Sequence, residues 1–189
     1  MANLDHFGLL APFYERFIKP KNPEFLSDLL DLPVDGVLLD AGGGTGRVAQ
    51  FMVGRARAVV VADLSCRMLE KTMGKDHLFA VCTPTESMPF SDGAFARIIM
   101  VDALHHVIHQ RETIDELWRL LSPGGRIVIE EPDIRSLRVK LIALGEKMLL
   151  MRSHFLSPAQ ISETFSFPDA LVEIHKDGPI AFVSVKKGD

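Results

Sequence analysis

The stretch VLLDAGGGTGRVA, residues 37–49, decides the fold of this chain. An apolar run ends at an aspartate, and four glycines follow within five positions, at Gly42, Gly43, Gly44 and Gly46. Glycine has no Cβ atom, so the backbone there can adopt a positive φ and approach a ligand closely. The following residues, RVAQFMVGR, predict a helix whose first N–H groups would face that ligand. The pattern therefore predicts a ligand-binding turn between a strand and a helix.

Three kinds of ligand fit such a turn: a nucleoside triphosphate, a dinucleotide or another nucleoside. A P-loop ends in Gly-Lys-Ser/Thr, whereas Arg47 follows the last glycine here, which excludes that motif. The dinucleotide pattern is G-x-G-x-x-G, and GGGTG is one residue tighter, which disfavours it. A purely structural turn is the remaining interpretation, but four glycines cost more chain entropy than a turn requires.

Strands and helices alternate along the rest of the chain. Apolar segments predict strands at residues 37–40, 58–63, 77–83, 96–102 and 126–132. Helical patterns cover residues 64–75, 111–121 and 136–152, and Ser157 with Pro158 begins a further short helix. Segments 170–176 and 180–187 flank Asp177-Gly178 and predict an antiparallel hairpin. The predicted fold class is α/β: a doubly wound, seven-stranded, mostly parallel sheet with a C-terminal antiparallel hairpin and helices on both faces.

Composition narrows the function classes. The chain has 189 residues, 47% of them hydrophobic and 24% charged, and is most simply a single globular domain. The net charge of -4 predicts no nucleic-acid partner, which would require a basic surface. No apolar run reaches the roughly 18 residues that span a membrane. Cys66 and Cys82 have neither CxxC nor metal-ligand spacing, so we expect reduced cysteines and a cytoplasmic location.

The loops that carry function are selected by the predicted topology. In sheets of this class, ligands bind beyond the carboxyl ends of the strands, where the strand order reverses. The corresponding loops are residues 40–46, 63–65, 83–90, 101–106 and 130–135.

Four segments around these loops resemble the class I S-adenosylmethionine-dependent methyltransferases. Residues 37–49 are similar to that family's motif I, apolar-apolar-(D/E)-x-G-x-G-x-G, and VVVADLS, residues 59–65, resembles its second motif. TESMPFSDGAFARIIMVDALHHV, residues 85–107, is similar to the branch that includes the ubiquinone and menaquinone C-methyltransferases. LWRLLSPGGRIVIEEP, residues 117–132, resembles the family's turn into strand five. The matches are collinear over roughly half of the chain, and they imply a Rossmann-like fold and methyl transfer.

The resemblance implies S-adenosylmethionine as cofactor and S-adenosylhomocysteine as product. Asp40 would orient the ammonium end of the cofactor, and Asp63 would accept hydrogen bonds from two ribose hydroxyls. The structural alternative for Asp63 is a helix cap, a role that Ser65 could share. Leu64 and Met88 would enclose the adenine, although each could equally be core. The full set of expected cofactor contacts is Asp40, Gly42, Gly43, Gly44, Thr45, Gly46, Asp63, Leu64, Ser65, Met68, Thr85, Glu86, Ser87, Met88, Val101, Asp102 and His106.

Two positions depart from the family pattern. Pro84 stands where the family usually has an aspartate that bonds the adenine amino group, and Ala96 replaces a common strand-four aspartate. These departures keep a second hypothesis open, a non-catalytic protein that binds S-adenosylmethionine or acts as a scaffold. A nicotinamide-dependent reductase is the third, disfavoured by the tight glycine spacing.

Catalytic residues are expected after strand four. Asp102, His105, His106 and His109 lie there with i,i+4 spacings that a metal cluster could use. The family's Leu-His-His pattern carries no metal, however, and Asp102 could cap a helix, so we expect no metal site. His106 and His105 are the candidate catalytic residues, acting as a general base only where the acceptor must lose a proton.

The acceptor is expected to be a small molecule. We expect residues 1–189 to form one methyltransferase domain, with residues 1–25 as an N-terminal lid that contains Tyr14 and residues 133–168 as acceptor-side helices. Apolar positions in the latter segment favour a hydrophobic acceptor or a homodimer face, and burial against the sheet explains them equally well. Glu130 and Glu131 end strand five and face either the acceptor or solvent.

Overall fold

A seven-stranded mixed sheet forms the centre of the molecule. The computed structural model describes residues 22–134 and 154–189. The strands are β1 (Val34–Ala41), β2 (Ala56–Asp63), β3 (Leu78–Cys82), β4 (Phe95–Val101), β5 (Leu121–Pro132), β6 (Ala170–Asp177) and β7 (Ile180–Lys187). Their order is β3-β2-β1-β4-β5-β7-β6; β1 to β5 run parallel, and β7 is antiparallel to β5 and β6. The predicted fold class is confirmed.

This order reverses between β1 and β4, which are neighbours although two strands separate them in the chain. A crevice opens at such a switch point because the connections from the two strands leave in opposite directions. The carboxyl ends of β1 and β4 are Ala41 and Val101, so the glycine turn and the segment after β4 flank the same crevice.

Helices pack on both faces of the sheet. They are α1 (Pro23–Leu29), α2 (Cys66–Met73), α3 (Gln110–Leu120) and α4 (Pro158–Thr164), with 3₁₀ turns at Ala49–Met52 and Leu104–His106. The predicted cap of α4 is confirmed: the Ser157 hydroxyl accepts from the Gln160 N–H, and the Gln160 side chain accepts from the Ser157 N–H. Within residues 22–134 and 154–189, no helix is both long and apolar enough to cross a membrane.

Two hydrophobic cores lie on opposite faces of the sheet. Leu38 and Leu39 are adjacent in β1 and both fully buried, because successive strand residues point to opposite faces. Leu39 packs in the core that contains α3 and α4, and Leu38 packs in the core that contains α1 and α2. Burial on both faces explains why the parallel strands are continuously apolar rather than alternating.

The predicted helix after the glycines is wrong. Residues 44–48 form turns, and only Ala49–Met52 makes a single 3₁₀ turn before the chain enters β2. The chain reverses early, at Gly54 with φ 78°, and Val53 already bridges to Ala56. The short connection leaves no room for an α-helix, so the N–H groups at the glycine turn belong to the turn itself.

Strand β5 differs from its prediction, and some predicted segments cannot be compared with the structure. Strand β5 begins at Leu121, earlier than the predicted residue 126, and its register with β4 shifts between Phe95 and Arg97. The glycines of the SPGG segment permit that irregularity inside a strand. The predicted helix 136–152, Tyr14 and most of the proposed lid lie outside the described residues.

The expectation of two reduced cysteines is also wrong in this structure. Cys66 and Cys82 form a disulfide, with their Cα atoms 5.4 Å apart. Parallel pairing of β3 with β2 sets Cys82 beside Asp63, close to the start of α2, where Cys66 lies. A separation of 16 residues has no recognisable spacing in the sequence, and the pairing follows from the sheet register alone.

Candidate active site

The glycine turn is packed too closely to accept side chains. Gly42, Gly44 and Gly46 have φ values of 71°, 55° and 70°, a region that glycine adopts without strain. A Cβ atom at Gly43 would lie only 2.5 Å from Asp40 Cγ, and one at Gly42 would lie 2.7 Å from Ala103 Cβ. The turn therefore lies directly on the Asp40 carboxylate and against the segment that follows β4.

Asp40 is a buried carboxylate with unmet hydrogen-bonding capacity. Its exposed fraction is 1%, and neither carboxylate oxygen has a hydrogen-bond partner within the described ranges. The pKa of Asp40 is raised to about 7, mainly by burial and also by the Asp63 carboxylate, against the opposing effects of the Arg47 guanidinium and, more weakly, the Ala49 backbone N–H. An unpaired buried carboxylate is costly, so this position favours a cationic ligand group.

Asp63 connects the glycine turn to the loop after β2. One carboxylate oxygen accepts from the Gly44 N–H at 2.8 Å, and the other accepts from the Ser65 N–H at 2.7 Å. The cap of α2 belongs to the Ser65 hydroxyl, which accepts from the Met68 N–H at 3.4 Å. Asp63 is thus not the helix cap, and its carboxylate is held beside the glycine turn at the end of β2.

Arg47 and Asp102 form an ion pair between the glycine turn and the end of β4. The Arg47 guanidinium donates to the Asp102 carboxylate at 2.6 Å, and the arginine side chain is almost fully buried. Asp102 has a φ of 50°, a left-handed conformation that only a few non-glycine residues tolerate. This arrangement replaces the helix-cap role that the sequence allowed for Asp102, and it adds a positive charge near Asp40.

Residues expected at the adenine end lie in two environments. Leu64 is 73% exposed, whereas Met88 is buried and its N–H donates to the Glu116 carboxylate at 2.8 Å. The Thr85 hydroxyl is turned inward and shares a hydrogen bond with the Thr113 hydroxyl at 3.1 Å. Leu64 is thus an exposed apolar side chain, Met88 is part of the core, and Thr85 joins its loop to α3.

Glu116 of α3 holds the loop that follows β3 through a hydrogen bond. Hydrogen bonding from Arg119 holds the pKa of Glu116 below its usual range, so the carboxylate stays ionised while it accepts the Met88 N–H. Arg119 also donates to the carbonyl oxygen of Phe90 at 3.0 Å. The loop that follows β3 is therefore attached to α3 by charged side chains rather than by packing alone.

On the β4–β5 side, Glu131 and His105 form a buried pair. Nδ1 of His105 lies 2.5 Å from the Glu131 carboxylate, and both side chains are almost fully buried. The other Glu131 oxygen accepts from the N–H groups of Ala103 and Leu104, at 3.1 and 2.8 Å. A hydrogen bond from Nδ1–H of His105 to this carboxylate would leave Nε2 as the basic nitrogen of the neutral ring.

His106 has a different electrostatic environment. Burial, together with a smaller contribution from the neighbouring His105, lowers the pKa of His106 to about 3. The two imidazole ring centroids are 3.9 Å apart, and the His105 ring also stacks on Phe155 with a centroid distance of 4.4 Å. His106 is therefore neutral at physiological pH and a weak base, whereas His105 is the histidine that pairs with a carboxylate.

The remaining expected residues lie around the glycine turn or in the loops that face it. Thr45 is buried, and its Oγ1 has no hydrogen-bond partner within the described residues. Met68 and Val101 are buried, Glu86 is half-buried and Ser87 is exposed. His109 is an exposed side chain beside Glu112, far less buried than His105. Within residues 22–134 and 154–189, no group of three or more His, Cys, Asp or Glu side chains is arranged to hold a metal ion.

Sequence patterns missed Arg47, Glu116 and the role of Glu131. Arg47 is a single charged residue before an apolar segment, and its partner is 55 positions away. Glu116 has the signature of a solvated helix face, and Glu131 was one of two equivalent glutamates. Adjacent residues of a strand point to opposite faces, and only the fold shows that Glu131, rather than Glu130, is the one that pairs with His105.

Comparison with known proteins agrees with this geometry. A family described as "Methyltransferase domain" matches residues 14–172. The chain belongs to this methyltransferase family. The resemblance found in the sequence motifs is thereby confirmed.

Curated relatives and solved structures add detail on the branch and the fold. The chain is 38% identical over 104 residues to the demethylmenaquinone methyltransferase of Clavibacter sepedonicus, covering 52% of this chain and 42% of that protein. It is 35% identical over 106 residues to a ubiquinone/menaquinone biosynthesis C-methyltransferase of Pseudomonas paraeruginosa, covering 50% and 41%. The YcgJ protein of Bacillus subtilis has the same fold, with a TM-score of 0.76, 14% identity and coverage of 89% and 98%. The chain thus matches about two-fifths of the length of these two curated relatives.

Proposed function

We propose that this protein transfers the methyl group of S-adenosylmethionine to a small acceptor molecule and releases S-adenosylhomocysteine. The observation that carries the proposal is Asp40, a buried carboxylate without a hydrogen-bond partner in the described residues, directly beneath the glycine turn. The amino-acid end of S-adenosylmethionine has an ammonium group, which would neutralise such a carboxylate. Family membership supports the same cofactor.

The residues present fit this cofactor. In the proposal, Asp40 binds the ammonium group, Gly42 to Gly44 admit the amino-acid portion at close range, and Asp63 accepts hydrogen bonds from the ribose hydroxyls. Leu64 and Met88 contact the adenine from the exposed and buried sides. When bound, S-adenosylmethionine supplies an electrophilic methyl group on a sulfonium. What the protein adds is orientation and exclusion of water, which account for much of the acceleration in a displacement of this kind.

On the acceptor side, we propose His105 rather than His106 as the general base where the acceptor must lose a proton. In this proposal Glu131 accepts from Nδ1–H of His105, and Nε2 of the same ring takes up the proton of the acceptor. His106, with its pKa lowered to about 3 by burial, would hold a proton too weakly for this task. Replacing His105 with Gln should then reduce kcat more than the same change at His106, provided that cofactor affinity is unchanged in both variants.

The two other hypotheses make different predictions. A nicotinamide-dependent reductase would bring a pyrophosphate to the glycine turn, where the Asp40 and Asp63 carboxylates would repel it and Arg47 would offset only part of that repulsion. A non-catalytic binding protein remains compatible with Pro84 and with Ala96, whose Cβ packs so closely on β1 that a Cβ at Gly36 would be 2.5 Å away. That contact gives Ala96 a structural role. It follows that the absence of an aspartate there does not argue against catalysis.

A single methyltransferase domain, a cytoplasmic location, a small-molecule rather than nucleic-acid acceptor and a hydrophobic acceptor are further parts of this proposal. Relatives that methylate quinone precursors by name favour a hydrophobic acceptor. A homodimer is the alternative use of the apolar positions in residues 133–168.

Isothermal titration with S-adenosylmethionine, S-adenosylhomocysteine and NADH separates the hypotheses. We expect the first two ligands to bind and NADH not to bind. Asp63→Asn should weaken S-adenosylhomocysteine binding at least about tenfold, the scale of a lost charge-assisted hydrogen bond, while the exposed Asp76→Asn leaves it unchanged. Appearance of S-adenosylhomocysteine with a panel of phenolic and other small acceptors then distinguishes an enzyme from a binding protein. NADH binding without either adenosyl ligand would refute the proposal.

A further inference from the structure

The disulfide lies at the border of the proposed cofactor site. Cys66 is the first residue of α2, and Cys82 is the last residue of β3. Both residues are exposed. The bond joins the two loops that would flank the adenine: the loop Leu64-Ser65 lies directly before Cys66, and Thr83 lies directly after Cys82.

Backbone contacts link this bond to Asp63. Asp63 and Cys82 are register partners in the β2–β3 pair, and the Thr83 N–H donates to the Asp63 carbonyl oxygen at 2.9 Å. Sγ of Cys82 is 3.6 Å from the carbonyl oxygen of Leu64. A disulfide sulfur has no proton to donate, so that approach is a packing contact. The covalent bond therefore sets the distance between the ribose-side and adenine-side loops.

Helix α2 connects the disulfide to the glycine turn. The Thr72 hydroxyl donates to the Gly44 carbonyl oxygen at 2.9 Å, and the Lys75 ammonium donates to the Thr45 carbonyl oxygen at 2.8 Å. The first residue of the helix is bound to β3 and its last turn to the glycine turn. A shift of the Cys66 end would consequently move groups along the whole cofactor side of the crevice.

Strand β3 depends on this attachment more than the inner strands do. It is a short strand of five residues at the edge of the sheet, and it pairs only with β2 among the described strands. Edge strands with few hydrogen bonds are the segments that open locally at the lowest free energy. A covalent bond at the carboxyl end of β3 restrains that opening where the adenine loop begins.

We propose that Cys66–Cys82 is a site of reversible thiol–disulfide exchange, and that its reduction loosens the adenine-side loops and weakens cofactor binding. The inference rests on the proposed function, because the ligand affected is S-adenosylmethionine. The reaction partner is a small-molecule or protein thiol. Disulfides of cytoplasmic proteins are usually transient and redox-sensing, so the proposed location agrees with a reversible bond.

The chemistry balances with two thiols. A thiolate attacks one sulfur, the S–S bond breaks, and a mixed disulfide forms while the other cysteine leaves as a thiolate and takes up a proton. A second thiol attacks the mixed disulfide and releases the first cysteine, so two thiols become one disulfide and the protein gains two thiols. In the reduced protein, the Cys82 thiol could donate a weak hydrogen bond to the Leu64 carbonyl oxygen, which is a much softer restraint than a covalent bond.

The test compares one preparation before and after reduction. Alkylation under denaturing conditions counts free thiols, isothermal titration measures S-adenosylhomocysteine affinity, and hydrogen exchange measures protection of residues 78–88. We expect no free thiols in the oxidised protein and two after reduction, one from each cysteine of the chain. Reduction should weaken S-adenosylhomocysteine binding about tenfold and lower protection of this segment, and reoxidation should restore both.

The Cys66→Ser/Cys82→Ser double variant is the matched control, because it should bind as weakly as the reduced protein and be indifferent to reductant. The inference would be overturned if alkylation verified reduction and S-adenosylhomocysteine affinity were nevertheless unchanged or tighter. Two free thiols in the air-oxidised protein would also overturn it. If neither redox form binds S-adenosylhomocysteine, the proposed function is wrong, and the part of this inference that concerns cofactor affinity is wrong as well. Hydrogen exchange still reports in that case whether the disulfide orders the loops, and unchanged protection would overturn that part too.

Discussion

Two buried carboxylates at the carboxyl ends of the strands, Asp40 and Glu131, are equally shielded from water but have opposite hydrogen-bond environments. Asp40 has no hydrogen-bond partner in the described residues, and burial raises its pKa to about 7. Glu131 accepts from backbone N–H groups and pairs with the His105 imidazole. Polar groups that folding leaves unsatisfied are positions where a ligand completes the structure, whereas satisfied groups fix the architecture. On the basis of this contrast we propose that the β1 side is the ligand-dependent half of the crevice and the β4–β5 side its pre-formed half.

The strongest test of the ligand-dependent half is Gly43→Ala. The new Cβ would lie 2.5 Å from Asp40 Cγ and 2.8 Å from Val61 Cγ1, so the turn must move away from the carboxylate it covers. We expect S-adenosylhomocysteine affinity to fall more than about a hundredfold in isothermal titration, which corresponds to roughly 3 kcal/mol. Gly74→Ala is the matched control, because its nearest neighbour is 3.5 Å away and its φ is not positive. Similar affinities for the two variants would show that the turn is not where the ligand binds.

Glu131→Ala tests the pre-formed half. Removal of the carboxylate leaves the N–H groups of Ala103 and Leu104 and the His105 Nδ1 proton without their acceptor. Buried donors that lose their partners cost about 1–3 kcal/mol, so we expect the free energy of unfolding in urea to fall by about 3 kcal/mol. The conservative Glu131→Gln should recover part of it. An unchanged free energy of unfolding in Glu131→Ala would contradict the structural role that we assign to Glu131 and, with it, the contrast with Asp40.

The sequence predicts the ligand-dependent half better than the pre-formed half, and the reason is physical. The glycines, Asp40 and Asp63 are encoded by local signals, an apolar strand followed by residues that permit a close turn. Arg47–Asp102 and His105–Glu131 join residues 55 and 26 positions apart, and the pairing depends on strand order and register. The disulfide was not predicted because it too joins residues that only the strand order and register bring together. The helix predicted after Gly46 failed because periodicity does not reveal how early the chain must turn back into β2.

The protonation of Asp40 provides a smaller, pH-dependent effect. Its pKa in the folded protein is raised to about 7 by burial, so its contribution to stability is complete below the unfolded value of 3.8 and is lost as the pH rises through 7. An ammonium ligand favours the ionised form, so S-adenosylhomocysteine affinity should fall up to about tenfold per pH unit below 7, equivalent to about 1.4 kcal/mol. Binding at pH 6 should release a proton, visible as a buffer-dependent heat.

Asp40→Asn is the control for this pH dependence. It should bind weakly at all pH values, with a flat profile between pH 5 and 8, and its unfolding free energy should lack the decline that Asp40 causes over that interval. A wild-type profile that matches the flat profile of the variant would contradict the assignment of Asp40 to the ammonium group.

The smallest expected effects come from the two serine caps, Ser157 at the start of α4 and Ser65 in the ligand-dependent half. Ser157 takes part in a reciprocal pair of bonds with Gln160, whereas the Ser65 hydroxyl lies 3.4 Å from the Met68 N–H. We expect Ser157→Ala to lower the free energy of unfolding by about 1 kcal/mol and Ser65→Ala by about 0.5 kcal/mol in urea titrations. Neither change should alter S-adenosylhomocysteine affinity, because Asp63 is held by the backbone N–H of Ser65, which alanine retains. A clear loss of affinity in Ser65→Ala alone would show that the hydroxyl itself contacts the ligand, and the ligand-dependent half would then extend into the first turn of α2.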